Sequence, residues 1–135
     1  MIFIQREEAD RNAITEMVQR SGSGCVVQFI GVVRDNSEGK EVSNMTVEVY
    51  EEMARKQLED IRAECKAKFG VQEVAIVHRY GEFKVGDELV FIAISAGKGG
   101  VQGMHVLHRR AEAEGADMEE GGKPGRELLG GGRET

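Results

Sequence analysis

The sequence predicts an α+β fold in which a mixed or antiparallel sheet packs against helices, and three observations predict it. The runs "CVVQFIGVV", "VQEVAIVHRYG" and "ELVFIAIS" are short, rich in Val or Ile and bounded by turn residues, as strands are. Between them, Glu51 to Phe69 places Leu58, Ile61, Cys65 and Phe69 close to a 3.6-residue period, with Lys, Arg and Glu on the intervening positions. Read in order, the elements run β-α-β-β-α-β-β, an α+β sandwich.

Each element has its own signal. "IFI" (Ile2 to Ile4) is a short apolar strand, and Ala9, Ala13, Ile14, Met17 and Val18 recur at helical spacing until "SGSG" stops the helix. Cys25 to Val33 follows as a strand with an inward and an outward face, and "SNMTVEVY" reads as its neighbour. The helix over Glu51 to Phe69 meets Gly70 where a C-terminal stop belongs. The last two strands are separated by "EFKVGD", in which Gly86-Asp87 marks a turn.

Composition bounds the function. A chain of 135 residues with 40% apolar and 31% charged residues is the size and type of one soluble globular domain. Its net charge of −6 argues against nucleic acid, because phosphate-backbone binding needs a basic surface, although a small local anion site remains compatible. Cys25 and Cys65 lack CxxC spacing and read as core thiols. With no signal peptide and no 18-residue apolar span, a reduced, cytoplasmic setting without membrane contact is expected. From Gly97 onward the character changes: 11 of the 18 glycines lie there and none of the seven Phe and Tyr residues, leaving little with which to bury a helix. The organisation expected is a core over residues 1–96 and an aberrant glycine-rich tail of the same domain over 97–135.

Several residues are candidates for chemistry. Arg34 ends the Cys25 strand just where a charged loop begins, and its planar fork suits bidentate contact with a phosphate or carboxylate. A solvated arginine pairing with Asp35 or Glu38 fits the same pattern. His78-Arg79 closes another strand, and without a Ser or Cys nucleophile in a partner motif a structural histidine is the simpler reading. His105 and His108 stand at i, i+3 with no third ligand, so no metal or other cofactor is expected. "GKGG" lacks the spacing of a phosphate-binding P-loop.

Taken together, "FIGVVRDNSEGKEV", "YEEMA" and "VAIVHRYGEFKVGDELVFIAISA" resemble the large, catalytic subunit of molybdopterin synthase in order, spacing and loop length, over roughly Ile2 to Ala96. The resemblance implies an α/β hammerhead fold and sulfur transfer. A ubiquitin-like small subunit brings a thiocarboxylate on its C-terminal Gly-Gly into the pocket of the large subunit. Its sulfur passes twice to cyclic pyranopterin monophosphate, forming the dithiolene that later holds molybdenum. It further implies that Phe29, Val32, Val33 and Arg34 line the substrate site, with Arg34 on the anionic substrate, Lys98 near it, and His78 and Arg79 in support. A homodimer with one small subunit at each far end is implied as well.

The tail departs from that family. Where the family has "SAHR" or similar, an amphipathic helix ending near a lysine and a "PIWKKE"-like segment with a second catalytic lysine, this chain reads "SAGKGGVQGMHVLHRRAEAEGADMEEGGKPG". Both family lysines are absent, so no catalytic residue is assigned. The genetic code offers an account. Codons for Val101 to Gly122, with wobble bases chosen freely, can read one base later as FRACMFSIDELKRRVPIWKKEV. Part of this is forced: Met118-Glu119 yields tryptophan, Glu119-Glu120 before Gly121 yields two Lys or Arg codons, and Glu112-Ala113 yields another. The tail therefore reads as a frameshifted form of the family's own. Two function classes follow from the sequence, a molybdopterin synthase large subunit with an altered tail and an inactive homodimeric remnant that still binds its partner. A small phosphate-binding module using Arg34 and Lys98 is a third.

Overall fold

The computed structural model describes residues 1–34, 36–37, 40–41, 44–97 and 100–118. A four-stranded sheet forms its centre, in the order β1 (Ile2–Gln5), β6 (Glu73–Arg79), β8 (Glu88–Ala96), β2 (Cys25–Val32). β1 runs parallel to β6, and β8 is antiparallel to both β6 and β2. All nine residues of β8 are buried, which is why its sequence is a continuous apolar run rather than an alternating one.

Alternation along the strands separates two cores. Val74, Ile76, Val90, Ile92 and Ile94 face α2 (Glu51–Phe69) and α3 (Gly100–Met118), whereas Ala75, Val77, Phe91 and Ala93 face α1 (Arg11–Val18). The shorter helix is capped by Asp10, whose carboxylate accepts the Ala13 N–H at 3.1 Å, and buries Ile14 and Val18. α2 buries Ala54, Leu58, Ile61 and Cys65 and ends on Gly70 at φ 63°, the left-handed cap that its sequence predicts.

Three expectations are corrected. The segment "SNMTVEVY" does not pair with β2: its strand β5 (Asn44–Val47) pairs with β7 (Gly81–Lys84), taken from the stretch expected to separate two strands. β2 instead takes β8 as its partner, since Val27 and Phe29 opposite Ile94 and Ile92 complete the larger core. A two-residue hairpin, β3 (Asn36–Ser37) with β4 (Lys40–Glu41), interrupts the charged loop.

The second correction concerns the tail. α3 is a packed helix, with Met104, Leu107 and Ala111 buried at i, i+3 and i+7. Its glycines are what let it approach. A Cβ on Gly103 would stand 3.2 Å from Val71 Cγ1 and 3.3 Å from Cys65 Sγ, and one on Gly100 would stand 3.2 Å from Cys25 Sγ. Small residues on the contact face take the place of the aromatic side chains the tail lacks. Third, Cys65 is a core thiol as expected but Cys25, at the start of the edge strand β2, is exposed.

Candidate functional site

The end of β2 is built by a turn rather than by a ladder. The register of β2 against β8 slips between Gly31 and Val32, so the regular pairing closes just before Arg34. From there the chain is held by the turn over Lys84 to Asp87: the Val33 N–H donates to the Asp87 carbonyl and the Gly86 N–H donates to the Val33 carbonyl, each at 2.9 Å. Gly86 sits at φ 92°, where a side chain would strain the backbone. Val33 is therefore pinned in the core, 3% exposed, and anchors the strand end instead of lining an opening. Arg34 follows it into solvent and makes no hydrogen bond or ion pair with the described residues. Asp35 and Glu38, its alternative partners, lie outside those residues.

The other sequence-selected residues are not all gathered here. Val32 is 49% exposed on the strand's outer side. Phe29 faces inward, half-buried, with its ring stacked on His108 of α3 at 4.5 Å between centroids and 15° between planes. His105 meets His108 edge-on at 5.8 Å, and among the described residues no group of three potential ligands stands ready for a metal. Lys98 lies outside the described residues, but the chain that leads to it is informative. Cys25 pairs with Ala96 at one end of the β2–β8 ladder and Val32 pairs with Glu88 at the other. At about 3.3 Å per residue the Arg34 end and the Gly97 end of this ladder are roughly 25 Å apart.

His78 is fully enclosed, in a row across the sheet with Ile4, Val90 and Gly31. Burial lowers its pKa below the ordinary value, only partly opposed by the contact of Nδ1 with the Arg79 carbonyl at 3.1 Å. Since a carbonyl only accepts, that contact places the proton of the neutral ring on Nδ1. Arg79 is half-buried, with Nε donating to the Arg6 carbonyl at 2.8 Å, Nη1 to the Glu88 carbonyl at 2.6 Å, and the guanidinium 4.8 Å above the Phe83 ring.

Two features have no counterpart in the sequence reading. Glu73, at the far end of β6, gathers Arg20, Arg62 and Lys66. Burial alone would raise its pKa, but the Val74 N–H and the Arg62 guanidinium outweigh that and hold it at about 2. An open cleft of about 540 Å³ lies beside the β5–β7 pair, lined by Arg6, Glu48, Tyr50, Tyr80 and Glu82, with the Arg6 guanidinium 4.8 Å over the Tyr80 ring. Spacing within the sequence marks neither, because both depend on residues from distant segments.

A mixed four-stranded sheet with helices on both faces and two small two-stranded sheets define an α+β protein, in which the end of β2 brings an exposed arginine to the surface. Comparison with known proteins makes this specific. The family model described as MoaE protein matches residues 4–112, and the chain belongs to that family. It is 38% identical over 96 residues to the molybdopterin synthase catalytic subunit of Pasteurella multocida, covering 70% of this chain and 64% of that protein. The corresponding subunit of Pyrococcus abyssi is 39% identical over 80 residues, 59% of this chain and 54% of that one. The chain thus spans less than two thirds of the length of these curated relatives. Among solved structures, molybdopterin synthase from Staphylococcus aureus superposes with a TM-score of 0.75 at 29% identity, covering 82% of each chain. A molybdopterin biosynthesis MoaE protein from Burkholderia ambifaria gives 0.73 at 28% identity, covering 82% of this chain and 75% of that one. Among the described residues no helix is long and apolar enough to cross a membrane.

Proposed function

We infer that this chain serves molybdenum cofactor biosynthesis as the large subunit of a molybdopterin synthase. Its substrate is cyclic pyranopterin monophosphate, and its sulfur donor is the C-terminal Gly-Gly thiocarboxylate of a ubiquitin-like small subunit. The observation that carries the reading is the end of β2: in a chain of this family, a backbone fixed by two hydrogen bonds to a turn delivers Arg34 to the surface with no partner among the described residues. A planar cation held in that way is preorganised for a phosphate or for the negative charge that develops as sulfur is transferred. Phe29 and Val32 belong to the same strand and supply its apolar border, while Val33, His78 and Arg79 hold the framework. The protein acts as a homodimer in the cytoplasm, consistent with two free cysteines, and needs no metal of its own.

A second reading is favoured by the tail. The family's lysines have no counterpart after Gly97, and Glu112 and Glu119 stand where shifted codons would supply basic residues. On this reading the chain binds the small subunit and the pterin but does not turn them over. One experiment separates the two: the chain is mixed with thiocarboxylated small subunit and cyclic pyranopterin monophosphate, and molybdopterin is measured beside complex formation. Product establishes the enzyme. A stable complex without product establishes the remnant, and neither complex nor product removes both.

A further inference from the structure

Arg79 makes three contacts, and one of them reaches the residue next to the turn that holds the end of β2. Its fork spans two main-chain carbonyls from distant segments, Arg6 after β1 and Glu88 at the start of β8, while the Phe83 ring supports its face. Glu88 directly follows the turn that holds Val33, the residue before Arg34. Within that turn the Asp87 N–H donates to the Lys84 carbonyl at 2.9 Å and the Lys84 N–H donates to the Asp87 carboxylate at 2.7 Å. The turn in turn holds Val33 through the Asp87 carbonyl and the Gly86 N–H. The Glu88 side chain is buried and has Arg11 Nε 3.3 Å from Oε1, so the same residue is also tied to α1. A continuous path of short polar contacts therefore leads from the Arg79 guanidinium to the backbone that aims Arg34.

We propose that Arg79 is a positioning residue for anion recognition: by fastening the Glu88 end of the turn to the Arg6 segment, it fixes the direction in which Arg34 leaves β2. The proposal rests on the reading of Arg34 as the anion clamp, and it adds the residue through which that clamp is held. No shorter or unforked donor reaches both carbonyls, so without Arg79 the turn keeps its own hydrogen bonds and its bonds to Val33 but loses the link from Glu88 to the Arg6 segment, and it gains freedom to pivot about Gly86. A ligand that needs two aligned N–H groups then meets a spread of Arg34 directions, and the loss falls on affinity.

The test uses the full chain with two readouts. The first is amide hydrogen exchange resolved by residue. In Arg79→Gln the Val33 and Gly86 amides should exchange at least tenfold faster while those of Ile76 and Ile92 in the central strands keep their protection. The second is affinity for cyclic pyranopterin monophosphate, which should fall roughly tenfold in Arg79→Gln, the scale seen when a supporting contact behind a ligand-binding group is lost. In an Arg34→Ala background the same change should have no further effect. Arg79→Lys keeps the charge and most of the stem, so it serves if the glutamine variant does not fold, and it should show the same selective loss because one ammonium cannot span both carbonyls. Unchanged Val33 and Gly86 protection in either variant overturns the proposal. So does loss of protection throughout the sheet in both, which assigns Arg79 a purely structural role, and so does an additive loss of affinity on top of Arg34→Ala. Unchanged affinity in Arg34→Ala itself defeats the clamp reading instead, and the exchange data still decide whether Arg79 holds the turn.

Discussion

At the scale of single residues, Arg34 and His78 show opposite uses of a polar side chain. Arg34 follows a residue held by its backbone and has no side-chain partner among the described residues, so Arg34→Ala should preserve the fold and weaken pterin binding by about 2–5 kcal/mol, the cost of removing one member of a charge pair that the bound ligand desolvates. Arg34→Lys should recover only part of this, since a point charge lacks the bidentate fork; isothermal titration of both variants checks it, and full affinity in Arg34→Ala returns the residue to the solvated-loop reading. His78 is enclosed and neutral. In the unfolded chain its ring titrates near the ordinary value of 6.5, while burial holds the folded value lower. Below that pH the unfolded chain binds a proton that the folded chain refuses, so the stabilisation is full above about 6.5 and is lost as pH falls toward the lowered folded value. Melting temperatures taken between about pH 7 and 5 should fall more steeply for the wild type than for His78→Gln. The exposed place of Arg34 just past the end of β2 was legible because a valine-rich run that ends on arginine before a charged loop is unusual. The grip of Arg79 was not, because its partners are carbonyls, which every residue carries and no sequence pattern marks.

Elements were legible in proportion to their length and period. α2 shows a clear apolar stripe and a glycine stop, and the uninterrupted apolar run of β8 announces a strand buried on both faces. The β5–β7 pair was missed because each strand has four residues and the pairing joins segments more than thirty residues apart, where local pattern gives no register. α3 was misread for a different reason. Counting glycines treats them all as loosening the chain, yet Gly100 and Gly103 lie on the face that meets β2 and α2, where lack of a side chain permits contact. This makes a prediction that separates the two meanings of glycine. Gly103→Ala gains about 1 kcal/mol of helix propensity and loses a comparable amount to the tight approach of Val71 and Cys65, so it should be near neutral. Gly103→Leu has no room and should destabilise by about 1–3 kcal/mol, as overpacking does. Urea denaturation reads both. A tail that does not pack would give Gly103→Leu no measurable cost.

At the scale of the whole molecule, the tail and the open edge of the sheet decide what the chain can do. Sequencing the gene and weighing the intact protein should show whether the written tail is what the cell makes. Restoring the reading frame from about Gly97, together with the family's His-Arg pair, should replace Glu112 and Glu119 by basic residues and raise synthase turnover from little or none; robust turnover by a protein of the written mass would refute that account. Association follows from the edge. Among the described residues β2 is an outer strand of the sheet, eight residues long and without a single charge, and Ile30 and Val32 on it are 38% and 49% exposed. Proteins that remain monomeric protect such an edge with charges, proline or a bulge along its length, and here the one irregularity comes at the very end, at Gly31/Val32. A second copy placed antiparallel against it continues the sheet and is self-complementary about a two-fold axis, as a homodimer requires. The same operation brings the Arg34 end of one β2 beside the Gly97 end of its neighbour, closing a separation of roughly 25 Å that no single chain can close. Sedimentation at micromolar concentration should therefore report a dimer, and Ile30→Lys, which puts a charge on the solvent side of the edge, should give a folded monomer that has also lost pterin affinity. A wild-type monomer, or an Ile30→Lys dimer with unchanged affinity, would show that the site is complete within one chain.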